Sequence, residues 1–182
     1  MRIKQVDPLH ANEVLTIEQQ AAIGCVAVES SRLEHLIMVM IWSLLSLEAN
    51  MGRLITDNIP TISGKLDLLH GIVNGKVSTL NKEEFNVIFQ VIKKIIQRRN
   101  TVIHGQWERM HTLAQLMKMP TISDGPTGHA LVNSRSRKSN SVKSERAEDI
   151  MSIALGIHHC YSSLYDFSQR YSLLPPLPER VR

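Results

Sequence analysis

Three polar residues stand where their types and spacing could do chemistry. They are Arg99, Asn100 and His104, at the end of the stretch KEEFNVIFQVIKKIIQRRNTVIHG. An arginine keeps its proton and presents five N–H donors in a planar fork that matches a phosphate. A histidine holds or releases a proton near neutral pH. Metal-independent cleavage of a phosphodiester needs a group that moves a proton on the attacking or leaving oxygen. It also needs a cation for the charge that builds on phosphorus, and something to align the backbone. His104 fits the first role, Arg99 the second and Asn100 the third. A helix C-terminus favours imidazolium, which suits His104 as an acid or proton shuttle.

The element that must position them is one helix from Lys82 to Gly105. At about 100° per residue, Phe85, Ile88, Phe89, Ile92, Ile95, Ile96 and Ile103 share one side. Arg99 falls near the centre of that stripe, where the period asks for another aliphatic residue. A charge placed there is costly unless acceptors meet it. Glu29 and Glu34 on the preceding long helix are the nearest carboxylates by helix count; a solvated face is the other reading of that pair. Asn100 and His104, four apart, stack on a flank, and Gly105 reads as the residue that stops the helix. Arg99 and His104 are five apart, about 140° around a regular helix, and cannot stack within it. The site then needs a loosened last turn or two copies of the motif across a two-fold axis. Arg98 is the alternative cation, nearer the edge of the stripe.

The spacing Arg99-Asn100-x-x-x-His104 resembles the Arg-x4–6-His motif of the HEPN superfamily (higher eukaryotes and prokaryotes nucleotide-binding domain), including the polar residue directly after the Arg. The resemblance covers Thr16 to Gly105. It implies an all-α domain, a homodimer and, in many members, a metal-independent endoribonuclease without cofactor; other members keep the fold without activity. It implies catalytic roles for Arg99, Asn100 and His104, with Arg98 and an acidic residue on an earlier helix, here Glu29, in support. It also implies a toxin or phage-defence component, with RNA as substrate and a cognate antitoxin as partner.

The remaining elements form a helical frame. Residues 1–15 read as a polar lead-in and 16–171 as one helical domain. Thr16-x-x-Gln19 is a capping-box pattern that opens a long helix to about Leu47, with Ile23, Val26, Ser30, Leu33, Ile37, Met40, Ile41 and Leu44 inward. Beyond Leu33 this helix is apolar on nearly every side, which calls for more than one neighbour and places a homodimer contact at or near it. A short helix near Met51 to Thr56 follows. The next helix is capped by Ser63 or Thr61 and closed by Asn74-Gly75, with Lys65 and Asp67 as surface ion-pair residues. Asn81 caps the Lys82 helix. Gln106 to Met119 reads as a helix extension or an irregular segment, and His129 to Val132 has strand character. Residues 120–143 read as a loop or a hairpin whose basic residues Arg135, Arg137 and Lys138 are either solvated or an RNA-contacting arm. Ser144 caps a last helix to about Tyr171, and residues 172–182 form a Pro-rich tail. The architecture expected is an antiparallel bundle of four main helices with short extra elements.

Composition narrows the function classes. A net charge of +4 permits an anionic partner without demanding one. The longest apolar run, Leu36 to Leu47, is about twelve residues and too short to cross a bilayer. Together with a charged and polar N-terminus, this predicts a cytoplasmic protein. Cys25 and Cys160, both in apolar helical contexts, predict buried reduced thiols. The eight histidines show no metal-ligand spacing. No phosphate loop and no nucleophile elbow is present.

Overall fold

The structure is a computed structural model that describes residues 15–76, 80–104, 106–109, 129–132, 142–144 and 146–174; for Lys76 and the three short strands it gives backbone alone. It is mostly helical. The helices are α1 (Ile17–Leu44), α2 (Ala49–Asp57), α3 (Ile62–Lys76), α4 (Lys82–His104) and α5 (Ala147–Arg170). Between α4 and α5 lie β1 (Gln106–Arg109), β2 (His129–Val132) and β3 (Val142–Ser144). They pair antiparallel in the order β1-β2-β3, with Gln106 opposite Val132 and Ala130 opposite Ser144. Gln106 thus begins a strand rather than a helix extension, and the strand expected at His129 to Val132 is β2.

Local chemistry sets the helix starts. The Gln19 N–H donates to Thr16 Oγ1 at 3.1 Å and the Thr16 N–H to Gln19 Oε1 at 3.0 Å, a reciprocal capping box. Thr61, not Ser63, caps α3, since Oγ1 of Thr61 accepts from the Gly64 N–H at 3.0 Å. Asn81 Oδ1 accepts from the Glu84 N–H at 3.1 Å and starts α4. Ser144, expected as a cap, lies in β3; α5 begins at Ala147, where Asp149 Oδ2 accepts from the Arg146 N–H at 3.2 Å.

The helix ends depart more from the sequence pattern. α1 stops at Leu44: Ser46 turns left-handed with φ 55° and the Leu47 N–H donates back to the Trp42 carbonyl at 2.8 Å. α5 ends alike, with Ser172 at φ 53° and the Leu173 N–H on the Ser168 carbonyl at 2.8 Å. A serine holds the left-handed position that glycine usually takes, so no glycine marks either end. α3, in contrast, runs through Gly75 to Lys76.

The chain forms two compact units. One comprises residues up to Ala27 together with Arg98–Ala154, the other Val28–Gln97 with Leu155 onward. In the first, Ala22, Val26, Val102, Ile150, Ile153 and Ala154 are buried. In the second, the core is Leu33, Ile37, Met40 and Ile41 of α1, Leu66 and Leu69 of α3, Phe85 and Ile92 of α4, and Ile157, Leu164 and Phe167 of α5. Burying each such side chain contributes about 1.5–3 kcal/mol. Phe85 meets Phe167 with ring centroids 5.4 Å apart, Glu84 pairs with Arg170, and Ile95 lies beside Gly156, so α4 and α5 run antiparallel. α3 and α4 do too: Asp67 pairs with Lys93, and His70 bonds Asn86 and stacks on Phe89 at 4.0 Å. Along the α1–α5 contact the numbering rises together, Glu29 with His158 and then Arg32 with Tyr161. Strict alternation over four helices would make it fall; the short α2 between α1 and α3 adds a pass of its own.

Beyond Leu33, α1 has α2 as one further neighbour. Trp42 donates through Nε1 to Thr56 Oγ1 at 3.3 Å and covers Gly52 on α2. Lys65 is not a surface ion-pair residue: it is 7% exposed and bonds Glu34 at 2.5 Å.

Candidate functional site

The last turn of α4 carries the three residues. Phe85, Phe89, Ile92, Ile95 and Ile96 are buried, as their period predicts, while Ile88 and Ile103 are half-buried. Arg99 continues the stripe and is half-buried; Asn100 and His104 are exposed. Nη1 of Arg99 donates to Asn100 Oδ1 at 3.0 Å and lies 3.3 Å from Nε2 of His104. The expected 140° obstacle therefore does not hold. α4 stays helical through His104, and the contact needs neither a loosened turn nor a second copy. The long Arg99 stem and the backward lean of the His104 side chain close the gap.

A guanidinium has donors and no acceptor, so the contact is a hydrogen bond in the tautomer that leaves His104 Nε2 its lone pair.

Arg99 also has a vacancy. Its Nε is buried and has no hydrogen-bond partner, and among the described residues no carboxylate pairs with the guanidinium. A buried N–H left unmade costs about 1–3 kcal/mol, which an incoming oxygen would recover. Nε lies on the side of the fork not used by Asn100 and His104, the side that grips an oxyanion together with Nη2.

The supporting residues separate. Glu29 accepts from Arg32 Nη1 at 3.0 Å and faces His158 Nδ1 at 3.2 Å. Glu34 is taken by Lys65. Arg98 is exposed and donates to Ser152 Oγ at 3.4 Å, while that hydroxyl donates to the Asp149 carbonyl at 2.7 Å. Arg135, Arg137, Lys138 and Gly105 lie outside the described residues. Among the described residues no three His, Cys, Asp or Glu side chains gather as metal ligands, and no helix is long and apolar enough to cross a membrane.

Sequence reasoning missed the Glu29–Arg32–His158 group. Glu29 and Arg32 are one turn apart, a visible signal, but His158 comes from a helix 129 positions away. The cysteines split as well: Cys160 is buried as expected, whereas Cys25 is exposed.

Comparison of the chain with known protein families, with curated proteins and with solved structures gives no match.

Proposed function

We propose that this chain is a metal-independent endoribonuclease of HEPN type, with Arg99, Asn100 and His104 as its reacting and aligning groups. The observation that carries the reading is the half-buried Arg99: no acid among the described residues neutralises it, its Nε lacks a partner, and its Nη1 lies 3.3 Å from the His104 imidazole. In the reaction, the 2′-hydroxyl gives its proton to His104 as its oxygen attacks phosphorus. The P–O2′ bond forms, the P–O5′ bond breaks, and a 2′,3′-cyclic phosphate and a 5′-hydroxyl result. Arg99 carries the charge that builds on the phosphoryl oxygens. Asn100, already bonded to Arg99, holds the guanidinium in place and aligns the strand. A homodimer would supply a second imidazole to protonate the leaving oxygen, within a HEPN-like four-helix frame. Arg98 and the basic residues Arg135, Arg137 and Lys138 would add phosphate contacts. A cytoplasmic toxin or phage-defence role with a cognate antitoxin fits such an activity.

The test is incubation of the full chain with RNA in EDTA and analysis of the ends. Cyclic phosphate and 5′-hydroxyl termini are expected. Activity that EDTA abolishes overturns the reading.

A non-catalytic helical dimer that serves as a binding or assembly module is the second reading. It is favoured by one feature: Arg99 Nη1, Asn100 and His104 contact one another on a single helix, as a structural end-cap would. It predicts no cleavage by any form of the protein.

A further inference from the structure

A cavity of about 410 Å³ opens between α1 and α5 in the unit of Val28–Gln97 and Leu155 onward. It has no part in the chemistry above. Arg32, His35, Leu36 and Val39 line it at i, i+3, i+4 and i+7 of α1, and Tyr161, Tyr165 and Gln169 at i, i+4 and i+8 of α5. Such stripes ordinarily interdigitate and close a helix–helix seam. Here both carry polar residues at the seam positions and leave a gap wide enough for a small organic molecule.

The lining is specific in two ways. Its floor is apolar, formed by Leu36 and Val39, with Leu174 from beyond α5. Two aromatic rings add to it: Tyr161 and Tyr165 stack on one another, 6.0 Å apart and within 13° of parallel. Its one cation among the described residues is the Arg32 guanidinium, which only donates; the two phenols, the Gln169 amide and the His35 ring can donate or accept. No carboxylate lines it among the described residues. Arg32 has partners before any ligand arrives: its carbon lies 4.9 Å over the Tyr161 ring and its Nη1 donates to Glu29, whose Oε2 lies 3.2 Å from His158 Nδ1. Glu29 takes only Nη1, so the rest of the fork stays available. A pre-set cation beside aromatic and aliphatic side chains lowers the entropic cost of ordering a long side chain on binding.

We propose that this cavity binds a small organic carboxylate with a flat, apolar body. The body lies on Leu36 and Val39 beside the tyrosines, and the carboxylate meets Arg32. Calorimetric titration of the full chain with 2-naphthoate tests it, with 2-naphthamide as the uncharged counterpart. One naphthoate per chain is expected, with the amide at least fivefold weaker. Arg32→Met keeps the stem on Tyr161 and removes the charge, so it should bring naphthoate down to the level of the amide. Val39→Trp fills the floor and should abolish binding of both. Each variant is checked for an unchanged circular dichroism spectrum; if Val39→Trp fails to fold, the comparison of Arg32→Met with the native chain decides. No heat with millimolar naphthoate, or equal affinity in the native chain and Arg32→Met, overturns the proposal.

Discussion

The Arg99 guanidinium gains little from its fold as far as the described residues show, which is informative at the scale of single residues. A structural arginine is held by an acid, and removing it strands that acid at a cost of about 3–5 kcal/mol when the pair is buried. Arg99 meets an amide oxygen and an imidazole instead. Arg99→Ala should therefore lower stability by no more than about 1 kcal/mol, read as a small shift in the thermal midpoint. A collapsed midpoint would show that the residue serves the fold. The cysteines make a second prediction. Burial pushes the Cys160 thiol from its ordinary value of 9.0 up to about 11. The folded state thus holds a proton that the unfolded chain has lost between those values, and stability from this residue falls as pH rises from about 9 to 11. At pH 8, a thiol reagent should label one cysteine in the folded protein, the exposed Cys25, and two after denaturation.

At the scale of elements, close approach is the sharpest constraint. A Cβ added at Gly52 would lie 2.5 Å from Trp42 Cγ, in the middle of a rigid ring. Gly52→Ala should cost about 1–3 kcal/mol, measured by denaturant unfolding, because α2 must lift from α1. Gly156→Ala is the control: its nearest neighbour is Ile95 Cδ1 at 2.9 Å, the free end of a side chain that can turn aside. There the helix propensity gained by replacing glycine offsets the crowding, and stability should hold within about 1 kcal/mol. Much of this frame was legible in the sequence. The Thr16–Gln19 box, the Asn81 cap and the isoleucine stripe of α4 are local signals, and each lies where its pattern put it. The ends of α1 and α5 were not legible, because serines at Ser46 and Ser172 take the left-handed turn without a glycine to announce it. Contacts between distant segments were hidden for a different reason. Nothing local tells Lys65 that Glu34 will cover it, or Glu29 that His158 will reach it.

For the whole molecule, the pair of buried Lys65 with half-buried Glu34 and the α4 site make opposite demands. Lys65 is 7% exposed and has a carboxylate; Glu34→Gln should destabilise by about 1–3 kcal/mol by leaving that ammonium without a counter-charge, while Lys65→Met should be nearly neutral. The α4 site, in contrast, keeps its cation without an acid among the described residues, and the proposed reaction uses it. That Arg99, Asn100 and His104 fall at the end of one helix was readable from the sequence. Their contact there was not, because an ideal-helix projection ignores the reach of an arginine. The proposed dimer should appear as a mass of two chains in sedimentation equilibrium. The most direct test of the central claim is the single-turnover rate of RNA cleavage in EDTA by the native chain, Arg99→Ala and His104→Ala, all shown to be folded. The account predicts cleavage by the native chain and a loss of at least about a hundredfold in each variant. Cleavage that persists in both variants, or a native chain that leaves RNA intact, would contradict it.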